Sequence, residues 1–264
     1  FSPDEASLGE PTALVFQVLP PLQMVYLKFL PAFEDALMLF GLAPEREAVV
    51  NRILEVLLRD YTGISIAFQT SPPQDFAEYS IVEIGGEDPN GTGLFGLDNT
   101  SGKDVGNVRF DDVIGGFNAE TRAQGYAAYG GIFASELLSL SATLSDNILA
   151  RTRFDDVFGP VCPGLGGQPA ALGESTGASF RAVQIQEAVR VFGNLVGSTI
   201  SHEIGHSLGL TAVPGSFHNL GDNPGWLMDA GIHRPFEERA ELDGQGPSVF
   251  SPDNRLYLES ILPP

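Results

Sequence analysis

All four histidines of the 264-residue chain lie between positions 202 and 233. Two of them stand in HEIGH, which supplies His202, Glu203 and His206. On a helix, positions i and i+4 share a face, so both imidazoles reach one metal ion. Neutral imidazole nitrogen suits Zn2+, with bonds of about 2.0–2.1 Å. Glu203 is rotated by about 100° from His202, which leaves its carboxylate beside the metal rather than on it. That is the place for a general base acting on water whose pKa zinc lowers towards about 7. The chemistry these residues imply is metal-assisted attack of water on a carbonyl.

Such a motif needs a helix, and the sequence supplies one. From Phe180 to Leu208, the residues Val183, Ala188, Phe192, Leu195, Val196, Thr199 and Ile200 trace an apolar stripe. Gly193 and Gly197 each cost about 1 kcal/mol relative to Ala there, which implies close packing, expected against the sheet. Gly209 occupies the place of a left-handed C-cap and lets the chain turn back toward the histidines. A methionine follows at Met228, in GWLMDAG.

HEIGHSLGL (202–210) followed by LMDAG (227–231) resembles the metzincin clan of zinc metallopeptidases. The clan pattern is HExxHxxGxxH, then a methionine-containing turn beneath the metal. The resemblance implies His202 and His206 as ligands, Glu203 as the catalytic base and Met228 as the Met-turn residue. It implies zinc-dependent endopeptidase activity on a protein or peptide substrate. Two departures stand out. Ala212 occupies the place of the third histidine, and the next histidine is His218, after VPGSF. Leishmanolysin-like members carry insertions at this point, so the resemblance implies His218 as a displaced third ligand. At the Met-turn, Ala230 stands where some members carry a tyrosine that assists the transition state.

A catalytic zinc normally takes three protein ligands and keeps an open position. Pro214-Gly215 is a turn dipeptide that lets the chain loop out and bring His218 back. Other residues compete for the role. His233 is a ligand or an outer partner, and Asp222 is an outer partner of His218 or its substitute. Glu237, Glu238 and Glu241 would supply a carboxylate ligand of the kind gluzincin peptidases use, or form a solvated helical face. The single cysteine, Cys162, excludes an intrachain disulfide and a Cys-based zinc site. It is either a thiol able to plug a zinc site or a free thiol on a loop. Asp88, Asn90, Thr92 and Gly93 partly mimic a calcium loop, although the twelfth position is Asn99 rather than Glu. Ca2+ is therefore a second cofactor expectation within 87–112.

Around this motif, residues 12–19 and 24–30 read as short strands, and 44–63 as an amphipathic helix with its stripe at Val49, Val50, Ile53, Leu54, Leu57 and Tyr61. Strands are expected at 64–70 and 79–86, which gives a strand–helix–strand opening and a parallel pair. NVRFDDVIGG (107–116) and its near-copy TRFDDVFGP (152–160) read as two similar strand ends flanking an insertion. Residues 159–179, rich in Gly, Pro and Ser, read as a surface loop. A last helix is expected near DNRLYLESIL. The fold expected is α/β (α+β), a metzincin-like domain with a twisted mixed sheet and two long helices. Residues 1–209 would form an N-terminal subdomain and 210–264 a smaller, irregular C-terminal one, with substrate between them. An edge strand within 107–113 would pair with an extended peptide.

Composition narrows the partners. The formal charge is −20, with two lysines in the whole chain, which disfavours nucleic acid and anionic membrane surfaces. No run of 18 apolar residues is present to span a membrane. The acidic, lysine-poor, loop-rich chain suits a secreted protein, and a start at Phe1 suits a processed one. Nothing in the sequence specifies an oligomeric state. A different class of function, a non-catalytic metal-stabilised binding or adhesion domain, would keep the two histidines as a staple but has no use for Glu203.

Overall fold

The first strand of the described chain has neighbours on both sides that run parallel to it. The computed structural model describes residues 20–100, 105–116, 128–145, 152–210 and 218–264. The expected strand at 12–19 and the turn Pro214-Gly215 lie outside them. Strands β1 (Gln23–Phe29), β2 (Ile66–Gln69), β3 (Ser80–Gly85), β4 (Gly96–Leu97), β5 (Val113–Ile114) and β6 (Gly131–Phe133) form one sheet. Its order is β2-β1-β3-β6-β4, with β5 also paired to β3. Every pairing is parallel except β4 with β6, so the sheet is mixed.

Parallel neighbours need a long crossover. Between β1 and β2 it is made by α1 (Pro31–Leu39) and α2 (Arg46–Asp60). The sequence reading assigned nothing to α1. Pro31 opens it, and Phe33, Ala36 and Leu37 are its buried residues. Helix α3 (Arg153–Phe158) corrects the expected strand at 152–160. The same residues RFDDV at 109–113 form no helix and lead into the two-residue β5. Thr152 decides the difference: its hydroxyl accepts from Asp155 N–H while its own N–H donates to the Asp155 carboxylate, a reciprocal cap that Val108, its counterpart in the first copy, has no hydroxyl to make. At the first copy, Ile81 N–H captures the Asp112 carbonyl and holds the chain beside β3. The stretch 159–179 is also less superficial than expected, since Val161, Cys162 and Ala170 are buried.

Helix α4 (Phe180–Ser207) crosses the centre of the molecule. The Ser179 hydroxyl caps it by accepting from Ala182 N at 3.0 Å. Gly193 and Gly197 face α2, not the sheet. A Cβ at Gly193 would stand 2.5 Å from Arg52 Cγ, and one at Gly197 2.8 Å from Val56 Cβ. Phe33, Phe40, Phe154, Phe158 and Phe192 fill the space between α1, α3 and α4, with Phe40 and Phe192 centroids 4.6 Å apart. At its end α4 closes as expected on Gly209, at φ +89°. Gly209 N–H returns to the His206 carbonyl and Leu210 N–H to Gly205, the paired bonds of a left-handed helix stop.

Beyond residue 218 the described chain holds two α-helices, α5 (Phe236–Ala240) and α6 (Pro252–Ile261), a 3-10 turn at Gly231–His233 and a single bridge between Trp226 and Val249. Tyr257 of α6 donates to the Leu208 carbonyl at 2.8 Å, which fastens this region to the end of α4. No helix among the described residues is long and apolar enough to cross a membrane.

Candidate metal centre

The last two turns of α4 carry the motif into a buried position. His202 and His206 lie one turn apart with their Nε2 atoms 3.1 Å from each other. His202 Nδ1 donates to the Leu227 carbonyl at 2.7 Å, and His206 Nδ1 approaches the Leu210 carbonyl at 3.4 Å. With both Nδ1 atoms protonated, both Nε2 atoms present lone pairs to each other. Two facing lone pairs at that distance repel unless a cation lies between them. Two bonds of about 2.05 Å at a tetrahedral angle would separate the nitrogens by about 3.3 Å, close to what the helix holds.

His218 completes the group. Its ring centroid is 5.3 Å from that of His202 and 5.2 Å from that of His206. One nitrogen from each of the three imidazoles falls within 4.8 Å of the others. Burial lowers the pKa of all three. His206 falls to about 4 through burial and the neighbouring His218. For His202, burial comes first and His206 adds to it; for His218 burial outweighs the Asp229 carboxylate. Neutral rings are what metal ligation requires. Three neutral nitrogen donors in a cleft fit Zn2+.

The segment Leu227-Met228-Asp229 organises the site from below. Leu227 fixes the His202 tautomer, as described above. Met228 is buried and packs on Gly205, where a Cβ would come within 2.6 Å of its sulfur. Asp229 accepts from Asn219 Nδ2 at 2.9 Å and from Asn223 N at 2.6 Å, and so braces the loop that presents His218. Sequence reasoning passed over Asp229. The signal was there in its position after Met228 and in the two asparagines that flank the loop.

Glu203 points into a cleft of about 520 Å³ shared with the three histidines. Its Oε2 accepts from Asp98 N at 2.7 Å. Burial, with the Asp98 carboxylate beside it, pushes Glu203 up to about 8, while the Asp98 backbone bond and the Arg239 and Arg234 guanidiniums oppose the rise. A carboxyl poised near neutrality suits proton transfer. The strand lying across this cleft is β4, not the expected stretch at 107–113. Gly96 makes the approach possible, since a Cβ there would stand 2.8 Å from both Glu203 Oε1 and Thr199 Cγ2. Val113 and Ile114 pair instead with β3.

The remaining candidates fall elsewhere. Asp222 and His233 are exposed and outside the histidine group. Glu238 is buried but engaged by Ser248 Oγ, Gly225 N and Arg234. Glu241 pairs with Arg52 and Arg59, and Glu237 sits in the first turn of α5. Cys162 is buried with its thiol against the Leu39 carbonyl, and burial pushes its pKa up, which removes it from the role of a metal plug. The Asp88 carboxylate accepts from Asn90 and Thr92, backbone and side chain alike, and from Gly93 N. Those donors engage both carboxylate oxygens and shape the loop leading into β4. No family model, curated protein or solved structure matches the chain.

Proposed function

We propose that this chain is a zinc-dependent endopeptidase of metzincin type, with His202, His206 and His218 as ligands and Glu203 as general base. The observation that carries this reading is the convergence of three neutral imidazoles on one side of Glu203 in an open cleft. HEIGH and a buried methionine packed beneath the two helical histidines support the same reading.

Zinc held by the three histidines would supply Lewis acidity to the scissile carbonyl and to water. Glu203 removes a proton from the attacking water as its oxygen adds to the carbonyl carbon. The same carboxyl delivers the proton to the amide nitrogen as the C–N bond breaks, leaving a carboxylate and an amine. The Asp98 N–H holds one oxygen of Glu203 and so fixes the orientation of the carboxyl. β4 bonds to β6 along one edge, and its residues also line the cleft. An extended substrate adds to that strand through main-chain bonds. Arg234 and Arg239, both buried, act electrostatically on Glu203, Arg239 from the cleft wall.

The test is hydrolysis of casein and of an internally quenched peptide library by the zinc-supplemented protein, with and without a chelator. Chelator-sensitive cleavage supports the reading. Stoichiometric zinc binding without cleavage would favour a metal-stapled binding domain instead.

A further inference from the structure

We propose that Arg239 makes the inner wall of the cleft a carboxylate-binding subsite, which selects substrates with an acidic side chain next to the bond that is cut. The inference rests on the peptidase reading and adds a substrate class to it.

Arg239 is 6% exposed and lines the same cleft as Glu203 and the histidines. Two buried guanidiniums, Arg234 and Arg239, share this region with two buried carboxyl groups, Glu238 from their own segment and Glu203 from α4. Glu238 is committed to Arg234, at 3.5 Å. Arg239 has no ion pair among the described residues. Its Nε donates to the Arg234 carbonyl at 3.0 Å and its Nη2 to the Gly231 carbonyl at 3.3 Å. Phe95, another cleft residue, lies under the guanidinium at 5.5 Å. These contacts fix the plane of the fork and leave Nη1 without an acceptor among the described residues. A desolvated cation is unfavourable unless paired; burial and then Arg234 lower the Arg239 pKa to about 9, with the Glu238 and Glu203 carboxylates opposing the fall. A carboxylate entering the cleft would meet a preoriented donor in low dielectric, where charge-assisted hydrogen bonds are strongest. The strongly acidic surface does not oppose this, because charges more than about 8 Å away are screened at physiological ionic strength.

The experiment compares amidated peptides that differ only in Glu or Gln at each position flanking the scissile bond, together with a Gln peptide bearing a free C-terminus. Specificity constants are measured on the zinc-supplemented protein, and dissociation constants by fluorescence anisotropy on Glu203→Gln, or on the wild type if it does not cleave. Glu is expected to be favoured over Gln by about tenfold or more at one position, as for a hydrogen bond to a charged group. In Arg239→Met, an apolar replacement of a buried charge, the ratio should fall to near unity. Arg239→Gln serves the same purpose should the methionine variant fail to fold. Equal binding of the Glu and Gln peptides, a preference that survives loss of Arg239, or a preference confined to the free C-terminus would each overturn the proposal. Absence of cleavage with an Arg239-dependent preference in binding would remove the peptidase reading and leave the subsite standing.

Discussion

Gly205 and Met228 are packed so closely that helix α4 has no room for a side chain at this point: a Cβ on residue 205 would lie 2.6 Å from Met228 Sδ and 3.1 Å from its Cε. Gly205 stands one residue before His206, so the methionine floor and the ligand helix fix each other's position. A glycine inside a helix normally costs about 1 kcal/mol relative to Ala. Gly205→Ala should therefore stabilise if only propensity mattered. We expect the opposite, a loss of about 1–3 kcal/mol from overpacking. Combining it with Met228→Ala should recover part of that loss in a double-mutant cycle measured by urea unfolding. Met228→Leu alone, nearly volume-conserving, should cost less than about 1.5 kcal/mol.

This contact also shows how far sequence reasoning reaches. Helix α4, its stop at Gly209 and the pairing of His202 with His206 follow from short-range periodicity and from a residue that tolerates positive φ. What α4 packs on does not follow. Gly193 and Gly197 signal a close approach, but only the fold shows that the partner is α2. The two copies of RFDDV set the limit most sharply, because identical residues form a helix at 153–157 and a non-helical approach to β5 at 109–113. The deciding interactions are the Thr152–Asp155 contact in one case and the β3 backbone in the other. Arg239 is illegible for a similar reason: it acts on residues brought to it by the fold.

The Asp155 carboxylate makes stability depend on acid. Burial alone would raise its pKa, but Ser141, Thr152 and Thr143 all donate to it, and the net shift is downward. A depressed folded-state pKa means that the stabilisation is fully present above the ordinary carboxylate value. It disappears as pH falls through the folded-state value. Asp155→Asn should lower stability by about 1.5–3 kcal/mol at neutral pH, as for loss of hydrogen bonds to a charged group. The gap between variant and wild-type melting temperatures should then narrow as the pH is taken from 7 to about 3. A gap independent of pH would mean that the ionised form is not what is stabilised.

Gly96 admits β4 to the cleft, and its replacement should act on catalysis rather than on zinc. In Gly96→Ala the new methyl would press on Glu203 Oε1 and Thr199 Cγ2, each 2.8 Å away. Displacing a catalytic group by about 1 Å costs on the order of 100-fold in rate. We expect kcat to fall by about that factor with zinc content unchanged, as measured by steady-state kinetics alongside metal analysis. Full activity in Gly96→Ala would show that β4 does not position Glu203.

Glu203→Ala removes the base and no ligand. It should keep stoichiometric zinc and its fold, and lose about 100- to 10,000-fold in turnover. Normal cleavage, or loss of the metal, would contradict the role given to Glu203.

The measurement that bears most directly on the account is zinc retention under dilute chelator by the wild type, His218→Ala, His233→Ala and Asp222→Ala. His218 lies within the imidazole group, whereas His233 and Asp222 are exposed and outside it. The wild type, His233→Ala and Asp222→Ala should each hold one equivalent and share one affinity. His218→Ala should shed its metal readily, with a loss exceeding the roughly 10- to 100-fold that follows removal of an outer hydrogen-bond partner. A His218→Ala protein that stays zinc-replete and cleaves peptides would contradict the three-histidine centre.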